Sequence, residues 1–207
     1  DAAPAAALGT PATSAAPATP DRTPLLPRAQ ALELAKSATA QKYPDADEVL
    51  AAQSVKVSYR KDGTYTQYDE SYVKILTEKG RSSNGVLASY YTMPYQLPED
   101  CQILLVEIIK ADGSVVPVDL AKNSSTVVDS SDMENNIYSP NDKIIKVNIP
   151  DLEIGDTLHY MMYDNIRQPR AAGIFCDLFM LEEVRPVLRK DIRVEGPEDF
   201  PLLKTAL

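Results

Sequence analysis

Three residues have side chains suited to nucleophilic chemistry: Cys101, Cys176 and His159, the only histidine in the chain. A cysteine attacks as the thiolate, which is usually formed at a helix N-terminus beside a histidine. Neither cysteine has that setting. Cys101 opens an apolar run and follows Glu99-Asp100, whose negative charges push a thiol pKa up. Cys176 lies between Phe175 and Asp177 in a second apolar run. His159 sits in LEIGDTLHYMMY, residues 152–163, where strand alternation gives it Met161 and Tyr163 as same-face neighbours. The pattern is that of a packed histidine, and no catalytic residue is assigned. His159→Gln is therefore expected to leave any activity within a fewfold and to cost little stability.

Metal and cofactor chemistry finds no better footing. One histidine and two distant cysteines make no zinc spacing. The acidic cluster DSSDMEN at 129–135 lacks the glycine and the closing glutamate of a calcium loop. No glycine-rich phosphate loop occurs. No metal and no cofactor are expected.

The remaining binding candidates are aromatic. SYYTMPYQLP places Tyr90, Tyr91 and Tyr95 near a strand end, where tyrosines stack on sugars or anchor a partner chain. The competing reading is that two of the three belong to packing. Cys101 and Cys176 also have two readings: one disulfide, worth about 4 kcal/mol by loop-closure entropy, or two buried thiols acting as small hydrophobes.

The elements that must position these residues are read from composition and periodicity. The chain has 207 residues, 44% of them hydrophobic, and a net charge of −9. That charge argues against nucleic acid and against anionic lipid. No run reaches the roughly 18–20 apolar residues of a membrane span. The first 27 residues are rich in Ala, Pro and Thr and nearly free of large apolar side chains, which predicts a flexible tether; the alternative is an arm anchored by Leu25 and Leu26. The chain starts at Asp1 without methionine, and the tract looks like the start of a mature chain whose secretion signal has been cut off, which implies an exported, periplasmic or extracellular protein.

The domain proper is expected over 28–207. Residues 28–43 are rich in helix formers, with Ala31, Leu34, Ala35 and Ala38 on one face and Pro44 as the stop. Strands come next, joined by hairpins at Asp62-Gly63 and Asp112-Gly113. Parity in TYTQYDESYVKILT shifts between Tyr65 and Val73, predicting a bulge near 68–71. Further strands are read at 86–92, 101–110, 145–149 and 157–166, a long polar loop at 121–141, and a final pair at 174–184 and 186–196. Eight to ten strands, one helix and no βαβ alternation predict an antiparallel β-sandwich.

The order of motifs carries a resemblance. YPDADEVL, KDGTY, VKILTEKGR, MPYQLPED, EIIKADGSVVPV, YSPNDKIIKVNIPDLEIGDTLHYMMYD and PVLRKDIRV resemble, over about 43–203, the bacterial domain of unknown function that precedes transglutaminase-like, papain-fold domains in exported proteins. The resemblance implies a sandwich, immunoglobulin-like in broad shape, and a partner domain C-terminal to it that holds the catalytic residues. The expected function is thus a non-catalytic accessory domain. A free-standing glycan- or peptide-binding module is the alternative. If a partner domain comes after this one, Phe200, Leu202 and Leu203 are the candidates for its contact surface.

Overall fold

The computed structural model describes residues 19–130 and 139–202. The chain is mainly β, with two open sheets. In chain order the elements are α1 (Arg28–Ser37), β1 (Glu48–Tyr59), β2 (Tyr65–Ile75), α2 (Glu78–Ser83), β3 (Val86–Thr92), a 3-10 turn (Pro98–Asp100), β4 (Cys101–Ile109), β5 (Val115–Pro117), α3 (Leu120–Asn123), β6 (Ser124–Val128), β7 (Asp142–Asn148), β8 (Thr157–Ile166) and β9 (Lys190–Glu195). A six-stranded sheet has the order β5-β4-β8-β2-β1-β9, and a three-stranded sheet the order β3-β7-β6.

The main core lies between the sheets. Leu50, Val73, Ile75, Val106, Ile108 and Leu158 of the large sheet meet Val147, Ile149 and Leu152. Each fully buried aliphatic side chain contributes roughly 1.5–3 kcal/mol. Alternation sends Ala52, Glu70, Tyr72, His159 and Glu107 to the opposite, outer face. That face is covered by α1 and the chain just before it: Leu26, Ala31 and Ala35 pack on Ala51, Ala52, Tyr72 and Ile109. The alanines let the helix approach the sheet closely.

Several expectations are corrected by this architecture. Residues 1–18 of the expected tether lie outside the described residues, but 21–27 lie on the sheet, with Leu26 buried and the Asp21 amide donating to Tyr68 Oη. The helix ends at Ser37, not before Pro44, because Thr39 starts a separate turn that takes the Lys42 and Tyr43 amides. The register shift falls in β1 between Leu50 and Ala52, while β2 pairs with β8 without a break. Parity in β2 is obscured because residues 70–73 are buried on both faces. Part of the expected 121–141 loop folds into α3 and β6; 131–138 lie outside the described residues. α2 was unforeseen: Thr77 Oγ1 caps it by accepting from the Gly80 amide.

The largest correction concerns 174–184, which is not a strand. β9 pairs with β1 in parallel, so the large sheet is not wholly antiparallel. β8 also runs parallel to β1, since both pair antiparallel with β2. The chain must therefore travel back along the sheet between β8 and β9, and residues 167–189 are that return. Gly173 bonds the β1–β2 turn at Asp62 near one end of the sheet, and Leu50 bridges Val187 at the other.

Candidate functional site

The outer face of the large sheet carries a buried charge cluster. β4, β8 and β2 are neighbours, and their register sets Glu107 opposite His159 and His159 opposite Tyr72. Glu70 lies two residues from Tyr72 on the same face. His159 is 2% exposed. Its Nδ1 is 2.7 Å from Glu107 Oε1 and its Nε2 is 2.9 Å from Glu70 Oε1. The ring stacks on Tyr72 with centroids 4.0 Å apart. Glu70 also accepts from Tyr72 Oη at 3.1 Å and, on Oε2, from the Leu25 and Leu26 amides. Arg28, at the start of α1, pairs with Glu107.

The electrostatics are set by this geometry. Burial pulls the Glu70 pKa up, but the His159 bond and the two amides outweigh it and leave it below the ordinary value. The His159 bond, with Arg28, likewise holds Glu107 down against burial. Burial favours neutral His159, and its two glutamates overcome that and raise its pKa. Each ionised group is thus satisfied by a neighbour, beneath a helix and an arm. His159 and Glu70 lie buried beneath α1 and the chain just before it.

The sequence reading missed Glu70, Glu107, Tyr72 and Arg28 as partners of His159. A clue was present, since Glu107 interrupts the apolar run ILLVEII, and a lone charge in such a strand must find a counter-charge. The expectation that His159→Gln costs little stability is corrected accordingly: glutamine would leave two buried carboxylates facing each other.

The cysteines do not come together. Both are free thiols, so the 101–176 disulfide is not formed. Cys101 is buried at the start of β4 with Sγ 3.1 Å from Ser89 Oγ, and burial, then the Asp164 charge, pushes its pKa up to about 12. Cys176 is exposed on the return segment, which corrects the reading that both thiols are buried in strands. In the native protein one equivalent of thiol is expected to react with Ellman's reagent, and two after unfolding. No reaction without a reductant would indicate a disulfide.

The tyrosines separate. Tyr91 is buried, Tyr90 points outward from β3 and is 60% exposed, and Tyr95 is half-buried with the Arg170 guanidinium 5.0 Å from its ring. Phe200 is half-buried against Tyr59, Leu202 is exposed, and Leu203 lies outside the described residues.

Among the described residues, exposed large apolar side chains concentrate on the return segment. Phe175 turns inward and stacks on Tyr59 at 4.7 Å, with Tyr65 edge-on at 5.2 Å. Ile174, Leu178, Met180, Leu181 and Val184 face out, with Leu178 81% exposed and Val184 fully exposed. Val184 also borders a cleft of about 800 Å³, lined by Tyr43, Pro44 and Asp45 on one side and by Arg185 and Pro186 on the other.

Among the described residues no group of His, Cys, Asp or Glu is placed to hold a metal ion, and no helix is long and apolar enough to cross a membrane. No curated protein matches the chain. Among solved structures, a proposed protease from Parabacteroides distasonis is similar at 17% identity with a TM-score of 0.61, over 75% of this chain and 30% of that one. The chain thus spans under a third of that protein's length, and the likeness shows the fold. The CBM3a-L domain of a cellulosome scaffoldin from Clostridium thermocellum is similar at 12% identity over 65% of this chain and 79% of that one, with a TM-score of 0.32 too low to bear on function. The model of the family described as a domain of unknown function with solved structure, DUF3857, matches residues 61–205, and the chain belongs to that family.

Proposed function

We propose that this chain is a non-catalytic accessory domain of an exported bacterial protein. It docks on a C-terminal transglutaminase- or peptidase-like domain and helps that domain select its substrate. The observation that carries the reading is the row Ile174, Leu178, Met180, Leu181 and Val184, five large apolar side chains turned to solvent within eleven residues. Such a row commonly marks an interaction site. The adjoining cleft gives the partner a concave surface beside it. The ionisable cluster around His159 supports the non-catalytic half, because it is enclosed and internally neutralised.

The test compares the full-length parent with two parts: this chain alone and the remainder alone. This chain alone is expected to turn over nothing. The remainder is expected to keep its chemistry with a weakened preference among substrates, seen in KM more than in kcat. Turnover by the isolated 207 residues would overturn the reading.

A second reading, a free-standing module for glycan or peptide, draws on Tyr90, whose ring is exposed on β3. Glycan-array binding that disappears in Tyr90→Ala would favour it over the first.

A further inference from the structure

We propose that the Glu107–His159–Glu70 bridge is a pH-governed latch, which holds residues 21–28 against the sheet while His159 carries two ring protons and releases them when it carries one. The geometry sets the proton count. Both ring nitrogens lie within 2.9 Å of a carboxylate oxygen. An ionised carboxylate only accepts, so each contact needs a ring N–H, and the closed form holds an imidazolium. Imidazolium and Arg28 together balance Glu70 and Glu107, so the buried cluster is neutral. The Tyr72 ring stacked on the imidazolium favours the cation.

Loss of one ring proton breaks this balance. A nitrogen lone pair then faces a carboxylate oxygen, and a net negative charge is left inside the sheet–helix layer. The charged groups facing His159 are Glu70 and Glu107, with Tyr72 on β2 and Arg28 on α1 completing the shell. Glu70 is relieved by turning toward water, and the Leu25 and Leu26 amides go with it. Beyond those two amides the strap is held by Leu26, by Leu25 against the Leu104, Met161 and Tyr163 cluster, by the Asp21 amide on Tyr68 and by Arg28 on Glu107. Its release withdraws Leu26 from the outer-face cluster and leaves Ala31 and Ala35 of α1 as the remaining cover of Ala52, Tyr72 and Ile109.

The shifts define the pH window. His159 is raised, so its contribution is complete below the ordinary histidine value of 6.5 and is lost as pH climbs through its higher folded value. Glu70 and Glu107 are lowered, so theirs is complete above the ordinary 4.5 and is lost as pH falls through their lower folded values. The latch is fully closed between those two ordinary values and opens on the alkaline side by a single titration.

The intact chain tests this by NMR, without a variant. His159 is the only histidine, so its ring 15N signals need no assignment. The expected result is a doubly protonated ring at pH 6. Between the ordinary histidine value and its higher folded pKa, hydrogen-exchange protection of the Leu25 and Leu26 amides should fall about tenfold per pH unit after correction for intrinsic exchange, and it should level off above that folded pKa. Protection at Val106 and Leu158 should not change. His159→Gln, if it folds, should abolish the pH step. A ring that carries one proton at pH 6 overturns the latch. So does a ring that titrates while Leu25 and Leu26 stay protected, or loss of the core amides in the same step.

Discussion

Replacing Glu70 by alanine is expected to cost about 3–5 kcal/mol of folding stability, because it removes one partner of a buried ion pair. Glu70 is fully buried and serves four donors at once: the His159 ring, Tyr72 Oη and the Leu25 and Leu26 amides. Its loss orphans all four in a layer that water does not reach, and each buried donor left unmade costs roughly 1–3 kcal/mol, with local relaxation recovering part. Glu70→Gln keeps an acceptor but places an amide N–H₂ against a donor, so an intermediate loss is expected. Urea unfolding at pH 6 checks the series. His159→Leu added to Glu70→Ala should cost much less than the sum of the single changes, since the second change removes the stranded cation. An alanine variant within about 1 kcal/mol of the parent would show that the bridge contributes only as an exposed ion pair would.

Much of the fold was legible from local pattern. Gly63 and Gly113 both take positive φ in the hairpins their Asp-Gly pairs predicted. β3, β4, β7 and β8 fall where apolar runs and alternation placed them, within a few residues at the ends. Legibility stopped where the answer depended on sheet order. Glu70, Glu107 and His159 meet only because β8 lies between β4 and β2, which no local spacing encodes. Residues 174–184 have the composition of a strand, yet the parallel β8 and β9 require a return there, and the segment becomes coil with its apolar side chains divided between Tyr59 and solvent. The contact surface sought at Phe200 and Leu202 is thereby shifted toward that return, since Phe200 is half-spent on Tyr59, whose hydroxyl donates to its carbonyl.

The docking account is tested most directly by titrating this domain calorimetrically against the proposed C-terminal partner domain, produced separately. The wild-type pair is expected to associate with Kd on the order of micromolar, typical of contacts that a covalent link then strengthens through effective concentration. Leu178→Asp with Leu181→Asp should weaken that association at least tenfold, on the order of 1.4 kcal/mol or more. Both side chains face solvent, so the double variant should fold as the parent does, with unchanged circular dichroism and thermal midpoint. The account predicts binding that this double variant loses; no heat of association, or a folded double variant that binds as tightly as wild type, would contradict it.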